Sequence, residues 1–197
     1  MSVLLPVRNA VGTLGAALDS TRTQTLVDHE VIVVDDGSID GTAHLVRAHA
    51  RRDPRIRLLS SPALGLVPAL NLGLEACQAP LVARMDADDV MHRDRLRCQS
   101  LAFERWPKCA VVGTRVQLFP AEQVTGGMRE YLRWQNNCLS PRDLASDIYL
   151  EAPFTHPSVA FRRDTVTALG GYRDGVFPED YDLWLRINAA GLEMRKL

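Results

Sequence analysis

Residues 30–42 read EVIVVDDGSIDGT, and the architecture can be worked out from that stretch in both directions. Val31 to Val34 form an apolar run without the polar alternation of a half-solvated strand. This is the pattern of a strand covered on both faces in a parallel sheet. Asp35, Asp36, Gly37 and Ser38 are turn formers. Gly41 or Thr42 then starts an amphipathic segment that Asp53-Pro54 stops, because the residue before a proline disfavours helical angles. Strand, turn and helix in this order make one step of a βαβ repeat.

The same step recurs on either side. Strands are predicted at Ser2 to Val7, Glu30 to Asp35, Ile56 to Ser60, Pro80 to Met85 and Cys109 to Phe119. Helices are predicted at about Gly12 to Gln24, Thr42 to Arg51, Val67 to Cys77 and Arg93 to Trp106. The fold class is α/β, a mostly parallel central sheet flanked by helices. Beyond Phe119 the rhythm breaks at Gly126-Gly127 and at a polar stretch around Asn136 and Asn137. A helix capped by Ser140 with Pro141 at its first position follows. A strand over Ser158 to Phe161, a short helix to about Leu169, a glycine-rich loop and a helix from about Tyr181 to Ala190, stopped by Gly191, complete the pattern. Leu183, Trp184 and Ile187 fall at helical spacing and read as core. We take residues 1–119 as a nucleotide-binding half and residues 120–197 as an acceptor-facing half of one domain.

Composition narrows the functional classes. The chain has 197 residues, 46% hydrophobic and 24% charged, with 23 Lys and Arg against 24 Asp and Glu. A net charge of -1 supplies no field to attract a polyanion, so nucleic acid is not an expected partner. The basic run Arg47, Arg51, Arg52, Arg55 and Arg57, with Arg22, reads as an exposed helix face. Cys77, Cys98, Cys109 and Cys138 show neither a Cys-x-x-Cys pair nor zinc spacing, which suits a reducing compartment. The start MSVLLPVRNA lacks the basic region of a signal peptide, and no apolar stretch reaches the roughly 18–20 residues of a spanning helix. The expected location is cytoplasmic, and any membrane association peripheral, at the inner face.

Chemistry concentrates where predicted strands end. In open α/β sheets ligands bind beyond the carboxyl ends of the strands. Three such ends carry Pro6-Val7-Arg8-Asn9, Asp35-Asp36-Gly37-Ser38 and Asp86-Ala87-Asp88-Asp89. Asp86, Asp88 and Asp89 would repel one another unless a cation or protons neutralised them, and hard divalent cations prefer such oxygens. A Mg²⁺ or Mn²⁺ diphosphate site is the natural reading, against an acidic loop that merely caps the next helix. An EF-hand would need glycine where Met91 stands. Asp36 suits a base or ribose, with Gly37 allowing close backbone approach. A phosphatase of the haloacid dehalogenase type, echoed by Ser38 to Thr42, would need its nucleophilic aspartate where Ser38 stands. The same residues would also serve as plain turns and caps.

PVRNAVGTLGAALDS, VIVVDDGSIDGT, GLVPALNLGLEA, RMDADD, VVGT, HPSVAFRR and GGYRDGVFPEDYDLWLRINAAG together resemble the family 2 glycosyltransferases, in the same order and at ordinary spacing over nearly the whole chain. Arg8 stands where that family often has tyrosine, and relatives generally continue beyond the last motif. The resemblance implies a GT-A fold, a Rossmann-like sheet, a nucleoside-diphosphate sugar donor, a divalent metal and inversion at the anomeric carbon. It places Pro6, Val7 and Asn9 at the base-binding strand end and Asp36 on the base. Asn71 and Arg84 would line the nucleotide side, with Asp86, Ala87 and Asp88 along the donor. Asp88 is the preferred metal ligand, with Asp86 and Asp89 beside it. Uridine diphosphate donors are favoured by resemblance, with thymidine and guanosine forms open, and a glycan or lipid-linked acceptor is implied.

The last acidic group, Glu179-Asp180-Tyr181-Asp182, sits at a predicted helix start, where negative side chains are favourable on their own. A carboxylate there also has the chemistry of a general base for a sugar hydroxyl. The resemblance points to Asp180 as that base, with Glu179 orienting it or the acceptor and Asp182 in reserve. His156 would reach the pyrophosphate or the acceptor, or else be a structural residue before a strand. Tyr172 and Phe177 are candidates for stacking on an acceptor ring. The rival readings are a nucleotidyltransferase, for which PVRNAVGT lacks the basic glycine-rich loop, and a non-catalytic nucleotide-sugar binding module.

Overall fold

In a computed structural model that describes residues 1–197, the run quoted above is strand β2 (Glu30–Asp36). It lies parallel between β1 (Ser2–Val7) and β3 (Ile56–Ser61), while β4 (Leu81–Arg84) is parallel to the other side of β1. Val31 and Val33 face one side of the sheet, with Val3 and Leu5; Ile32 and Val34 face the other, with Leu4. All seven are buried. Both faces are covered, which is why the run shows no alternation.

The remaining strands extend the sheet in mixed order. Strand β5 (Cys109–Gly113) and β6 (Ala160–Arg162) are antiparallel, β6 is antiparallel to β4, and β7 (Glu193–Lys196) is parallel to β5. The spatial order is β3-β2-β1-β4-β6-β5-β7. Helices α1 (Leu14–Arg22), α2 (Thr42–Ala50) and α4 (Arg95–Arg105) pack one face through Leu14, Leu18, Val46, Leu96 and Phe103. Helices α3 (Leu66–Ala76), α7 (Arg163–Ala168) and α8 (Glu179–Ala189) pack the other through Leu70, Leu74, Val166, Leu183, Trp184 and Ile187. Helix α6 (Pro141–Asp147) starts at Ser140 with Pro141 in the first turn, as expected. The Asp143 side chain completes a capping box.

Four elements differ from the sequence expectation. The strand predicted to run to Phe119 stops at Gly113, because its neighbours end there. The Leu197 amide donates to the Gly113 carbonyl, the Arg115 amide to Leu197, and the Asn136 side chain bonds both backbone groups of Val116. These bonds satisfy the chain without a ladder. The break at Gly126-Gly127 is instead the first turn of α5 (Gly126–Asn137), capped by Thr125, whose hydroxyl accepts from the Met128 amide. Only Gln135 of α5 is fully buried, and its apolar side chains, with Trp134 half-buried against the core, follow a Gly-Gly start that reads as a break. Strand β7 is spelled Glu-Met-Arg-Lys, and its Lys196 is buried by donating to the carbonyls of Gln135 and Pro153. The last helix begins at Glu179, two residues earlier than predicted.

Helix α3 sits close on the sheet because Gly73 has no side chain. A Cβ there would lie 2.2 Å from Leu4 Cδ1 and 2.8 Å from Val34 Cγ2. Gly73→Val is expected to lower the unfolding free energy by about 3 kcal/mol, the upper part of the usual overpacking range, as read from the midpoint of urea denaturation.

Candidate active site

Since β1, β2 and β4 are parallel, their carboxyl ends open on one edge of the sheet. The first wall is the end of β2. Asp36 is buried, and its carboxylate accepts from the amides of Leu64 (2.8 Å) and Gly65 (2.9 Å), with Arg8 Nη1 at 3.8 Å. Two acceptor oxygens thus shape the turn ahead of α3. Gly37, at φ 70°, is required beneath this turn, because a Cβ would fall 2.7 Å from that of Ala63. Asn9, also left-handed at φ 50°, accepts from the Ile39 amide and donates its own amide to Ser38 Oγ, both at 2.9 Å. The ends of β1 and β2 are thereby joined. A cleft of about 160 Å³ remains, lined by Pro6, Val7, Arg8, Asp36, Gly65, Leu66 and Ala69. It places Pro6, Val7 and Asp36 together as the sequence suggested.

The second wall follows β4. Carboxylate oxygens of Asp86, Asp88 and Asp89 lie within 4.8 Å of one another, while Ala87 between them packs on the core. Burial, and then the charges of Asp86 and Asp88, push the Asp89 carboxyl up to about 6. Hard oxygen donors this close, already repelling one another, fit a divalent cation such as Mn²⁺ or Mg²⁺, whose charge would reverse that shift. Arg84, 2% exposed, donates from Nη1 to Asp86 at 2.5 Å, while its Nε is buried without a partner. Arg95 holds the strand end by donating to the carbonyls of Arg84 (2.8 Å) and Val159 (3.0 Å). On the far side of this acidic turn a larger cleft of about 940 Å³ runs past Asp89, Val90, Arg115, Phe119 and Thr155.

The third wall is the start of α8, with Glu179, Asp180 and Asp182 in its first turn. Asp182 is held by Arg186 at 2.7 Å, so the reserve candidate is already paired. Glu179 lies 3.4 Å from His156 Nδ1, and hydrogen bonding from His156 holds its carboxyl below the usual range. Asp180 accepts only from the neighbouring Tyr181 amide at 2.8 Å, and burial raises its carboxyl above the usual range. Adjacent carboxyls pushed in opposite directions are an arrangement found at acid–base sites.

Three further residues sit differently from expectation. Tyr172, expected on a stacking surface, is 2% exposed and packs edge-on to Phe161 in the core, because its hydroxyl is matched by His156 Nε2 at 3.0 Å. His156 is likewise buried and faces Glu179 and Tyr172, away from solvent. Asn71 bonds both the carbonyl and the amide of Tyr172 at 2.9 Å, so its amide anchors the loop before α8. Phe177 remains exposed beside Glu179. Two contributors were missed. The Leu64-Gly65 amides had no signal beyond a glycine before a helix. Tyr131, whose hydroxyl is raised by burial and then by Glu151 and Asp180, lies on the unforeseen α5.

A seven-stranded, mostly parallel sheet with carboxylates gathered at one edge is the GT-A fold class. The chain belongs to glycosyl transferase family 2, whose model matches residues 2–170. It is 34% identical over 179 residues, 90% of its length, to the amylovoran biosynthesis glycosyltransferase AmsE of Erwinia amylovora. It is 30% identical over 179 residues to the Escherichia coli UDP-Gal:alpha-D-GlcNAc-diphosphoundecaprenol beta-1,3-galactosyltransferase, again covering 90% of this chain. It spans 65% and 63% of those two relatives. The mannosyltransferase PcManGT of Pyrobaculum calidifontis, solved with GDP-Man and Mn²⁺, superposes on all of this chain with a TM-score of 0.77 at 24% identity, over 54% of its own length. No helix is long and apolar enough to cross a membrane.

Asp36→Ala would leave the Leu64 and Gly65 amides without an acceptor. It is expected to cost about 1–3 kcal/mol of stability in urea denaturation, and Asp36→Asn, which keeps one oxygen, should cost less.

Proposed function

We propose that the protein transfers a sugar from a nucleoside-diphosphate donor to an acceptor hydroxyl with inversion, residues 1–119 holding the donor and residues 120–197 facing the acceptor. The observation that carries this reading is the convergence of three features on one sheet edge: the Asp36 cleft, the Asp86, Asp88 and Asp89 group, and the Glu179-Asp180 helix start. Arg84 bridges the last two, since it pairs with Asp86 and its charge acts on His156 and Glu179.

In this reading Pro6, Val7 and Asp36 receive the base, and Asp86, Ala87 and Asp88 flank the diphosphate. Asp180 takes the proton of the acceptor hydroxyl. As that proton moves to the carboxylate, the acceptor oxygen forms its bond to the anomeric carbon, the bond from that carbon to the phosphate oxygen breaks, and the nucleoside diphosphate leaves with the electron pair. Asp88, with Asp86 and Asp89, would hold a divalent cation, which when bound would supply positive charge where the leaving group gains negative charge. Asp180 suits the base role because Glu179 and Asp182 have other partners, and because a raised carboxyl brings its basicity closer to working pH. Retention would need a second carboxylate acting as a nucleophile, and the sequence names no obvious one.

Uridine diphosphate donors are favoured by similarity to the Escherichia coli galactosyltransferase, and guanosine diphosphate donors are a second arm because of the Pyrobaculum calidifontis neighbour solved with GDP-Man. The acceptor class we assign is a glycan, free or lipid-linked, as in the polysaccharide and diphosphoundecaprenol names of the relatives. A lipid-linked acceptor would require peripheral contact with the inner face of a membrane.

Incubation with a panel of nucleotide sugars and Mn²⁺ should release nucleoside diphosphate; release of pyrophosphate, or binding without turnover, would sink the proposal. Asp180→Asn should leave donor binding intact and lower transfer by about 10²-fold or more, as read by single-turnover kinetics. Asp88→Ala should abolish the Mn²⁺-dependent part of nucleoside diphosphate binding in calorimetry. Because Asp180 must be ionised to act and burial raises its carboxyl, the acidic limb of the rate profile should lie above the ordinary carboxylate range, with activity lost as pH falls through it.

A further inference from the structure

We propose that His156 is a positioning residue for the transfer reaction: its imidazole, bracketed by the Tyr172 hydroxyl and the Glu179 carboxylate, fixes Glu179 and leaves Asp180 as the carboxylate that takes the acceptor's proton. This rests on the base role assigned to Asp180 above.

For a neutral imidazole beside an ionised Glu179, the contacts point to one proton arrangement. A neutral imidazole has one N–H and one lone pair. Nδ1 lies 3.4 Å from Glu179 Oε1, and a carboxylate can only accept, so Nδ1 carries the hydrogen. Nε2 is then the acceptor, and the Tyr172 hydroxyl at 3.0 Å is its donor. Each end of this chain is itself anchored. Asn71 holds Tyr172 by both backbone groups, and the tyrosine ring packs against Phe161. The imidazole stands edge-on to Trp184 of α8, the helix whose first turn carries Glu179 and Asp180.

The charged and titratable groups facing His156 are Arg84 from β4, Glu179 and Asp180 from α8, and Tyr172 from the loop before α8. Burial and then the Arg84 charge lower its basicity, so it acts as a neutral donor and not as a counter-ion. Asp180 is faced by His156 and Glu179, and also by Tyr131 of α5. With Nδ1–H in place, Glu179 stays ionised and directed inward, and the first proton to reach the pair goes to Asp180. Without that N–H, Glu179 binds a proton more readily and competes for it, so the titration of the pair changes.

The test combines a spectroscopic reading on the Mg²⁺-loaded protein, since Mg²⁺ is diamagnetic, with a kinetic reading on the Mn²⁺-loaded protein. Nitrogen-15 spectra of the imidazole should show a neutral ring with the hydrogen on Nδ1 at neutral pH; the Nε2–H tautomer would overturn the assignment. His156→Phe should lower kcat, by up to about 10²-fold for a displaced catalytic group, leave the donor KM unchanged, and displace the acidic limb of kcat from that of the parent. His156→Gln, which keeps an N–H donor, should recover part of kcat and return the limb towards that of the parent. If His156→Phe keeps the parent's kcat and limb, or His156→Gln recovers nothing of either, the N–H of His156 positions nothing. A parent that releases no nucleoside diphosphate from any donor overturns the base role itself, an outcome distinct from an active parent with indifferent variants.

Discussion

A buried ion pair between Arg84 and Asp86, with Arg95 behind it, holds the acidic edge of this molecule together. Arg84 projects from the end of β4 with 2% exposure and meets Asp86 at 2.5 Å. Burying a guanidinium is costly unless it is paired, so this pairing ties the acidic turn to the sheet. The same charge acts on His156 and Glu179. Two acidic groups more than 90 residues apart in sequence therefore share one source of positive potential. Without such a charge, five carboxylates near one sheet edge would oppose folding through mutual repulsion.

The sheet makes that convergence possible. Parallel pairing of β1 with β2 and β4 sends the three chain ends to the same side. The antiparallel insertion of β6 between β4 and β5 brings the His156 turn up to the end of β4, where the Val159 carbonyl accepts from the Arg84 amide at 2.9 Å. The first half of the chain thus builds a rigid shelf, and the second half carries His156 and the α8 helix start onto it. Rigidity is concentrated where side chains join neighbouring turns: Asn9 across to Ser38 and Ile39, Asp36 across to Leu64 and Gly65, Asn71 across to Tyr172.

Polar residues were the hardest to place, and for one reason. A lone Asn, His or Tyr carries the same letters whether it meets a ligand or a backbone amide. Asn71 and Tyr172 looked like ligand-facing groups and are instead anchors, since each finds a complete partner inside the protein. The acidic turns were more legible. Carboxylates packed three to a turn have few internal partners available, so their type and spacing already mark a candidate cation site. Helix α5 and strand β7 were not foreseen because their order depends on partners remote in the chain: Asn136 reaching Val116, and Lys196 reaching Gln135 and Pro153.

What the amino-acid order determined alone was the βαβ rhythm through β5, the fold class, and the three places where chemistry gathers. Unbroken apolar runs can be buried only between two layers, and strands of one direction must end on one side. What only the tertiary structure decided was which of the gathered groups are free. Asp182 is taken by Arg186 and Glu179 by His156, while Asp180 keeps only the amide of its neighbour. That distinction depends on distances between side chains brought together by the closing of the sheet, and no local spacing encodes them.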